Sequence, residues 1–311
     1  MSIALDREVI VRDADNPLLT LDDLSFQCID ICNAGVVKRD GQTLLLITVE
    51  SLAGRTGIVL ARSDDGRHFT PDDQPLLIPR FGECGRPCEC DGMRDARVTP
   101  LDGQYYITYV TEGPCGFRVG MARTGDFRRV ERLGLISQPD TKNGVLLPEK
   151  IGGRYAMLTR PCPGASIWLE YSDDLTFWRP SGVVMTPRGG YWDSDRIGAA
   201  CPPIAIEQGW LLLYYGEKIT SAGPLMRVGA AVLDRKDPTR VIARSNIPIL
   251  TPRTRYERIG DIPNIVFSCG AVLEDDGELK LYYGASDSCI CMGTARLEDV
   301  LQVCRKAGRE Y

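Results

Sequence analysis

Asn33-Ala-Gly-Val-Val-Lys38, the turn Asp40-Gly41, Thr43-Leu-Leu-Leu-Ile-Thr48 and then Gly57-Ile-Val-Leu-Ala-Arg-Ser-Asp-Asp-Gly66 form the stretch on which the fold reading turns. Each apolar run is too short for a helix, is rich in β-branched residues, and is bounded by Gly and Asp, so it reads as a strand. The order is strand, tight polar turn, strongly apolar strand, loop, third strand. The same order returns four times. Asp95-Ala-Arg-Val-Thr99 leads through Gly103 to Tyr105-Tyr-Ile-Thr-Tyr109 and on to Phe117-Arg-Val-Gly-Met-Ala122. Asn143-Gly-Val-Leu-Leu-Pro148 leads through Gly153 to Tyr155-Ala-Met-Leu-Thr159 and Ile167-Trp-Leu-Glu-Tyr-Ser-Asp-Asp174. Gly198-Ala-Ala-Cys-Pro-Pro-Ile204, Gly209, Trp210-Leu-Leu-Leu-Tyr-Tyr215 and Val228-Gly-Ala-Ala-Val-Leu233 make the fourth copy. Cys269-Gly-Ala-Val-Leu273, Gly277, Leu279-Lys-Leu-Tyr-Tyr283 and Cys291-Met-Gly-Thr-Ala295 make the fifth.

The turn glycines at 41, 103, 153, 209 and 277 are separated by 62, 50, 56 and 68 residues, the size of a four-stranded blade with a variable outer loop. Five such units predict an all-β, five-bladed β-propeller with a central pocket. A two-sheet sandwich is the alternative, but it does not require one strand order five times. Ala4 to Leu24 and Leu297 to Tyr311 fall outside the repeat and are expected to cap or close the ring. Leu297-Glu-Asp-Val-Leu-Gln-Val-Cys-Arg-Lys has helical spacing and predicts a short C-terminal helix. Length alone allows one or two domains in 311 residues; the repeat makes residues 1–311 a single propeller domain.

Composition narrows the function. A formal charge of −5 and the absence of a Lys/Arg run argue against a nucleic-acid partner or an anionic membrane surface. No apolar run is long enough to span a bilayer, and the start of the chain lacks the pattern of a signal peptide, so a cytoplasmic protein is expected. Of twelve cysteines, Cys201, Cys269, Cys291 and Cys304 sit in apolar runs as small hydrophobes. Cys84, Cys88 and Cys90 cluster in a loop-like segment, but their spacing matches no common zinc pattern, and they read as reduced thiols with no metal. The single histidine, His68, rules out a multi-histidine metal centre and makes a histidine-based triad a poor fit. Carboxylates are left for acid-base work.

In a propeller the mouth of the channel is built from the start of each inner strand and the loop after the second strand. The inner-strand starts supply Asn33, Arg94 with Asp95, Lys142 with Asn143, Asp193 with Arg196, and Asn264 with Ser268. The loops supply Glu50 and Arg55, Glu112, Arg160, Glu217 with Lys218, and Asp287. Taken singly, Glu50, Glu112, Glu217 and Lys142 read as ordinary solvated residues. Together they form a ring of carboxylates, amides and cations suited to a sugar and an anion. Tyr191 and Trp192 could stack on a sugar or pack between blades. Within Gly92-Met-Arg-Asp-Ala-Arg-Val-Thr99, Asp95 lies between two guanidinium groups and is the candidate catalytic residue.

Six motifs carry a family resemblance. They are Asn33-Ala-Gly-Val-Val-Lys38, Arg94-Asp-Ala-Arg-Val-Thr99, Leu147-Pro-Glu-Lys-Ile-Gly-Gly153, Ile167-Trp-Leu-Glu-Tyr-Ser-Asp-Asp174, Pro263-Asn-Ile-Val-Phe267 and Tyr282-Tyr-Gly-Ala-Ser-Asp287. In them, from about Asn16 to Val303, the chain resembles glycoside hydrolase family 130, the inverting β-mannoside phosphorylases. The resemblance implies a five-bladed propeller that cleaves short β-1,2- or β-1,4-linked mannosides to α-mannose 1-phosphate and a shortened acceptor. Asp95 would be the sole acid, acting through the mannose 3-hydroxyl, and inorganic phosphate the co-substrate and nucleophile, with no cofactor. By the same resemblance Lys142, Arg160 and Lys218, with Tyr215, would cradle phosphate. Asn33, Arg55, Asp287, Arg94 and Asp193 would contact the mannose. Relatives often assemble, so a homo-oligomer is within the expectation. Two departures are Tyr214-Tyr215-Gly216 in place of the family's Tyr-His-Gly, and Asp95-Ala96-Arg97 in place of Asp-Pro-Arg. The first leaves a β-mannoside hydrolase using water as an alternative; the non-enzyme alternative is a sugar-binding propeller that keeps its pocket without the chemistry.

Overall fold

The structure, a computed structural model, describes residues 8–79, 91–114 and 116–305. Five antiparallel units follow one another in the predicted order. The first comprises Cys28–Arg39, Gln42–Ser51, Thr56–Ser63 and Thr70–Leu77, and the second Gly92–Leu101, Gln104–Glu112, Arg118–Thr124 and Glu131–Leu135. A single parallel pair, Thr56 with Gly92, joins these two sheets at one end. The third unit is Thr141–Leu146, Tyr155–Pro161, Ile167–Ser172 and Arg179–Met185. The fourth is Arg196–Ala199, Gly209–Thr220, Gly223–Leu233 and Val241–Arg244, and the fifth is Val266–Leu273, Glu278–Ala285 and Cys289–Arg296.

The fifth unit borrows its outer strand from the other end of the chain. Val11–Arg12 pairs with Cys289–Arg296, so the segment expected to close the ring does so by strand addition. The junction is fixed by an ion pair. Arg12 donates from Nε and a terminal nitrogen to the two oxygens of Glu257, each at 2.8 Å, and Glu257 is fully buried. Tyr283 OH and the backbone N–H groups of Arg253 and Thr254 also donate to that carboxylate. The helix expected at the C-terminus runs over Leu297–Arg305 and buries Val300, Leu301, Val303 and Cys304 against the fourth and fifth units.

Neighbouring units touch all the way round. Gly35 and Gly270 let three inner strands come together: a Cβ at Gly35 would strike the carbonyl of Ala96, and one at Gly270 the backbone of Val36. Thr99 Oγ1 donates to Leu146 O at 3.0 Å between the second and third units. Ile197 N donates to Ala165 O between the third and fourth, and Met226 bridges to Ile265 between the fourth and fifth. The fourth inner strand departs from expectation, because it is broken into Arg196–Ala199 and Ile204–Ile206. Pro202 and Pro203 lie in the gap, and neither can donate to a ladder. Cys201, Cys269, Cys291 and Cys304 are buried in apolar surroundings, as the sequence suggested. The Cys84, Cys88 and Cys90 cluster lies outside the described residues.

Candidate active site

Three consecutive inner strands carry the same local device. Asn33, Asp95 and Asn143 have φ of +43°, +58° and +54°, and each coincides with a break in the register to its neighbouring strand. Asn and Asp are the non-glycine residues that best tolerate this left-handed conformation. A bulge there re-aims the side chain, and these three are re-aimed into one space. They line a cavity of about 290 Å³ with Cys32, Arg94, Lys142, Arg160, Arg196, Tyr215, Glu217 and Asp287. An apolar wall of Pro224, Met226, Ile262, Ile265 and Phe267 completes it.

Asp95 is held by its backbone and leaves its carboxylate largely uncommitted. Its N–H donates to Thr48 Oγ1 at 3.0 Å, and its carbonyl accepts from Arg97 at 2.7 Å. Arg97 is almost fully buried and also donates to Ala200 O at 2.8 Å, so it ties the second unit to the fourth beneath the cavity. One oxygen of Asp95 accepts from Asn33 Nδ2 at 2.8 Å. Among the described residues the other has no hydrogen-bond partner. Asp287 lines the same cavity, and burial, then the carboxylates of Asp95, Asp30 and Asp261, push its pKa up to about 7 against the opposing charge of Arg94. Arg94 is in turn near Glu112, at 3.7 Å.

The cations gather on the third and fourth units. Arg160 is buried and donates from Nε to Asn143 Oδ1 at 3.1 Å, while Tyr215 OH donates to the same oxygen at 2.9 Å. The amide therefore orients both donors. Burial raises the Tyr215 pKa in spite of nearby Arg160, Arg196 and Arg97, which keeps it a protonated donor. Lys142 Nζ lies 3.3 Å from the centroid of the Phe117 ring, and burial lowers its pKa while the charge of Asp95 works the other way. Arg196 stands directly across the ladder from Glu217 and donates to it from Nε at 2.7 Å and from a terminal nitrogen.

Of the residues expected at the site, Asp95, Asn33, Arg94, Asp287, Lys142, Arg160 and Tyr215 come together here. Three do not. Asp193 is fully buried away from the cavity, where it accepts from Arg188 at 3.1 and 2.9 Å, Arg244 at 2.7 Å and Tyr214 OH at 2.9 Å. Its acceptor capacity is used by the fourth unit's own scaffold. Lys218 is one residue beyond Glu217 on a pleated strand, so with Tyr215 and Glu217 facing the cavity it faces elsewhere; its charge is felt by the exposed Asp195. Arg55 follows a tight turn in which Ser51 N donates to Arg55 O, and lines a separate groove with Phe26, Pro75 and Ile78. Trp192 packs rather than lines: it is buried and stacks on Tyr214 at 5.5 Å. Asn143, Arg196 and Glu217 were legible as mouth residues but carried no assigned role. Strand alternation counted from Tyr215 is the signal that selects Glu217 over Lys218. The apolar wall had no signal, since Ile262, Ile265 and Phe267 look like any core residues.

A family model described as β-1,4-mannooligosaccharide phosphorylase, of glycoside hydrolase family 130, matches residues 32–306. The chain belongs to glycoside hydrolase family 130. A β-1,2-mannobiose phosphorylase of Thermoanaerobacter sp. is 39% identical over 248 residues, 79% of this chain and 78% of the relative. One from Listeria innocua serovar 6a is 37% identical over 248 residues, covering 78% of this chain and 67% of the relative. The solved structure of the Listeria innocua β-1,2-mannobiose phosphorylase with β-1,2-mannobiose superposes with a TM-score of 0.86 at 30% identity, over 96% of this chain and 99% of that one. In this family 130 chain, as in its relatives, the architecture is the five-bladed propeller. Among the described residues no helix is long and apolar enough to cross a membrane.

Proposed function

We propose that this family 130 protein is an inverting phosphorylase of short β-mannosides, with β-1,2-mannobiose or a short β-1,2-oligomannan as substrate, Asp95 as proton donor and inorganic phosphate as nucleophile. The observation that carries this reading is one cavity holding a sparsely bonded acid, Asp95, with Arg94 beside it and a group of three further cations, Lys142, Arg160 and Arg196. An inverting hydrolysis needs a second carboxylate positioned to activate water; of the other two in this cavity, Glu217 is paired with Arg196, and Asp287 is assigned to the mannose. Phosphate is already an anion, so cations suffice to hold it, and a phosphorylase can work with one acid.

In the proposed reaction Asn33 and Asp287 bind the mannose, and Asp95 gives up its proton to the glycosidic oxygen through the 3-hydroxyl. The C1–O bond to the acceptor breaks as a phosphate oxygen bonds to C1 from the opposite face, giving α-mannose 1-phosphate and an acceptor bearing the new hydroxyl. In this reading Arg196 takes the place in the phosphate cradle that the family resemblance implied for Lys218. Tyr215 supplies a neutral hydroxyl where many relatives have an imidazole, and Asn143 holds it and Arg160 in position. The β-1,2 linkage is proposed from the two relatives named above, which bear that substrate in their names.

The test is incubation of the purified protein with β-1,2-mannobiose and β-1,4-mannobiose, each with and without inorganic phosphate. The proposal expects mannose 1-phosphate only when phosphate is present, and faster from the β-1,2 disaccharide. Equal release of free mannose with or without phosphate would make the protein a hydrolase. Binding without turnover, unchanged in Asp95→Asn, would make it a sugar-binding propeller.

A further inference from the structure

Glu217 is out of place at the cationic end of this cavity. The residue is 3% exposed, and among the described residues its one side-chain partner is Arg196. Both bonds, from Arg196 Nε and from a terminal nitrogen, converge on the same carboxylate oxygen, Oε2. Nε and its neighbouring terminal nitrogen form one of the two edges with which a guanidinium grips a phosphate. That edge is already occupied by an internal anion. The other two cations differ: Arg160 is bonded through Nε to the neutral amide oxygen of Asn143, and Lys142 lies over an aromatic face. Glu217 is therefore the one carboxylate in a tight ion pair with a cation at this end, since the Arg94–Glu112 contact of 3.7 Å belongs to the second unit.

We propose that Glu217 is a specificity-determining residue that competes with inorganic phosphate for Arg196, so that it sets how much phosphate the enzyme needs. The proposal rests on the reading of Lys142, Arg160 and Arg196 as the phosphate cradle. A phosphate entering that cradle meets a carboxylate held in a poorly solvated wall, where like charges repel more strongly than in water. It must also draw the Nε edge of Arg196 away from Glu217 or accept only the remaining terminal nitrogen. Either way, the carboxylate weakens phosphate binding, and the mannose end, lined by Asn33, Asp95 and Asp287, is not directly involved.

The experiment compares phosphate and mannoside kinetics, with β-1,2-mannobiose, in the unmodified enzyme, Glu217→Gln, Glu217→Asp and Arg196→Gln, with thermal melts to verify folding. The amide keeps the shape and can still accept a hydrogen bond without the charge; the shorter aspartate keeps the charge but withdraws it from Arg196. The expected result is a KM for phosphate about 5–10-fold lower in Glu217→Gln. Glu217→Asp is expected to move the same way by a smaller factor, and Arg196→Gln to raise that KM. The mannoside KM is expected to change less than twofold in both Glu217 variants. A phosphate KM that rises in both Glu217 variants would mean that the carboxylate only holds Arg196 in place, and an unchanged one that it does not compete; either overturns the proposal and leaves the phosphorylase reading intact. Should Glu217→Gln fail to fold, the direction in Glu217→Asp decides alone. Absence of phosphate dependence in the unmodified enzyme would bring down both readings together.

Discussion

Glu257 and Glu217 are both buried glutamates paired with an arginine, yet they do opposite things. Glu257, at the ring closure, receives five donors: two from Arg12, one from Tyr283 and two from backbone N–H groups. Glu217, at the cavity, receives Arg196 on one oxygen. Exposure does not separate them, since they are 0% and 3% exposed. Saturation does. Of these two, the carboxylate whose lone pairs are all taken holds the ring closure together, and the one with capacity to spare lines the cavity. Asp193, with four donors, belongs with Glu257; Asp95, with Asn33 on one oxygen, belongs with Glu217.

The widest separation is expected between Asp95 and Glu257. Asp95→Asn should lower kcat by roughly 10³-fold with a melting curve close to that of the parent, because it removes the proton donor and disturbs one hydrogen bond. Glu257→Gln should reduce stability by about 3–5 kcal/mol, since it strands Arg12 beside an uncharged partner. Denaturant unfolding read against the specific activity of the folded fraction checks both. An Asp95 variant that unfolds, or a Glu257 variant that folds normally and loses turnover, would break the comparison. Asp193→Asn should behave as Glu257 does at about 1–3 kcal/mol, with mannoside KM unchanged in the folded fraction; a raised KM would return Asp193 to the sugar site.

A pH titration sharpens the same contrast. Burial opposes ionisation of Glu257, but its hydrogen bonds to Arg12 and the backbone outweigh that and hold its pKa below the usual carboxylate value. Its contribution is therefore present above the unfolded pKa and lost as pH falls through the folded one. Asp287 runs the other way. Its folded pKa is raised from 3.8 to about 7, so the native state binds the extra proton and stability is lost as pH rises across that window. Asp287→Asn should thus gain stability relative to the parent between those values, read as a growing difference in melting temperature. A difference independent of pH would mean that Asp287 ionises freely. The smallest effect is assigned to Lys218→Ala, whose phosphate KM should stay within about twofold, against roughly tenfold or more for Lys142→Met.

Saturation is also what the sequence could not supply. The propeller was legible because Gly41, Gly103, Gly153, Gly209 and Gly277 punctuate a repeat whose apolar runs carry their own period. Closure by residues near Val11 could be expected from what lay outside that repeat. Asn33, Asp95, Lys142, Arg160 and Asp287 were reachable because polar residues at inner-strand starts or beyond second strands violate the pattern around them, whereas Tyr215, inside an apolar strand run, was implied only by the family resemblance. Asp193 violates it equally, and the spacing does not reveal that Arg188 from the same connecting segment and Tyr214 and Arg244 from two strands converge on it. Lys218, implied by the resemblance, lies a single step of the pleat from Glu217, and alternation from Tyr215 separates the two only once Tyr215 is known to face inward. The break at Pro202-Pro203 is written in the sequence, since neither proline can donate to a ladder, although the repeat by itself predicts an unbroken strand.

The account stands most directly on the nucleophile. Phosphorus NMR of the protein with β-1,2-mannobiose and inorganic phosphate should show a new phosphomonoester, the α anomer of mannose 1-phosphate, growing in step with loss of the disaccharide, and no turnover once phosphate is removed. Free mannose accumulating at the same rate in phosphate-free buffer, with no phosphoester in either sample, would contradict it.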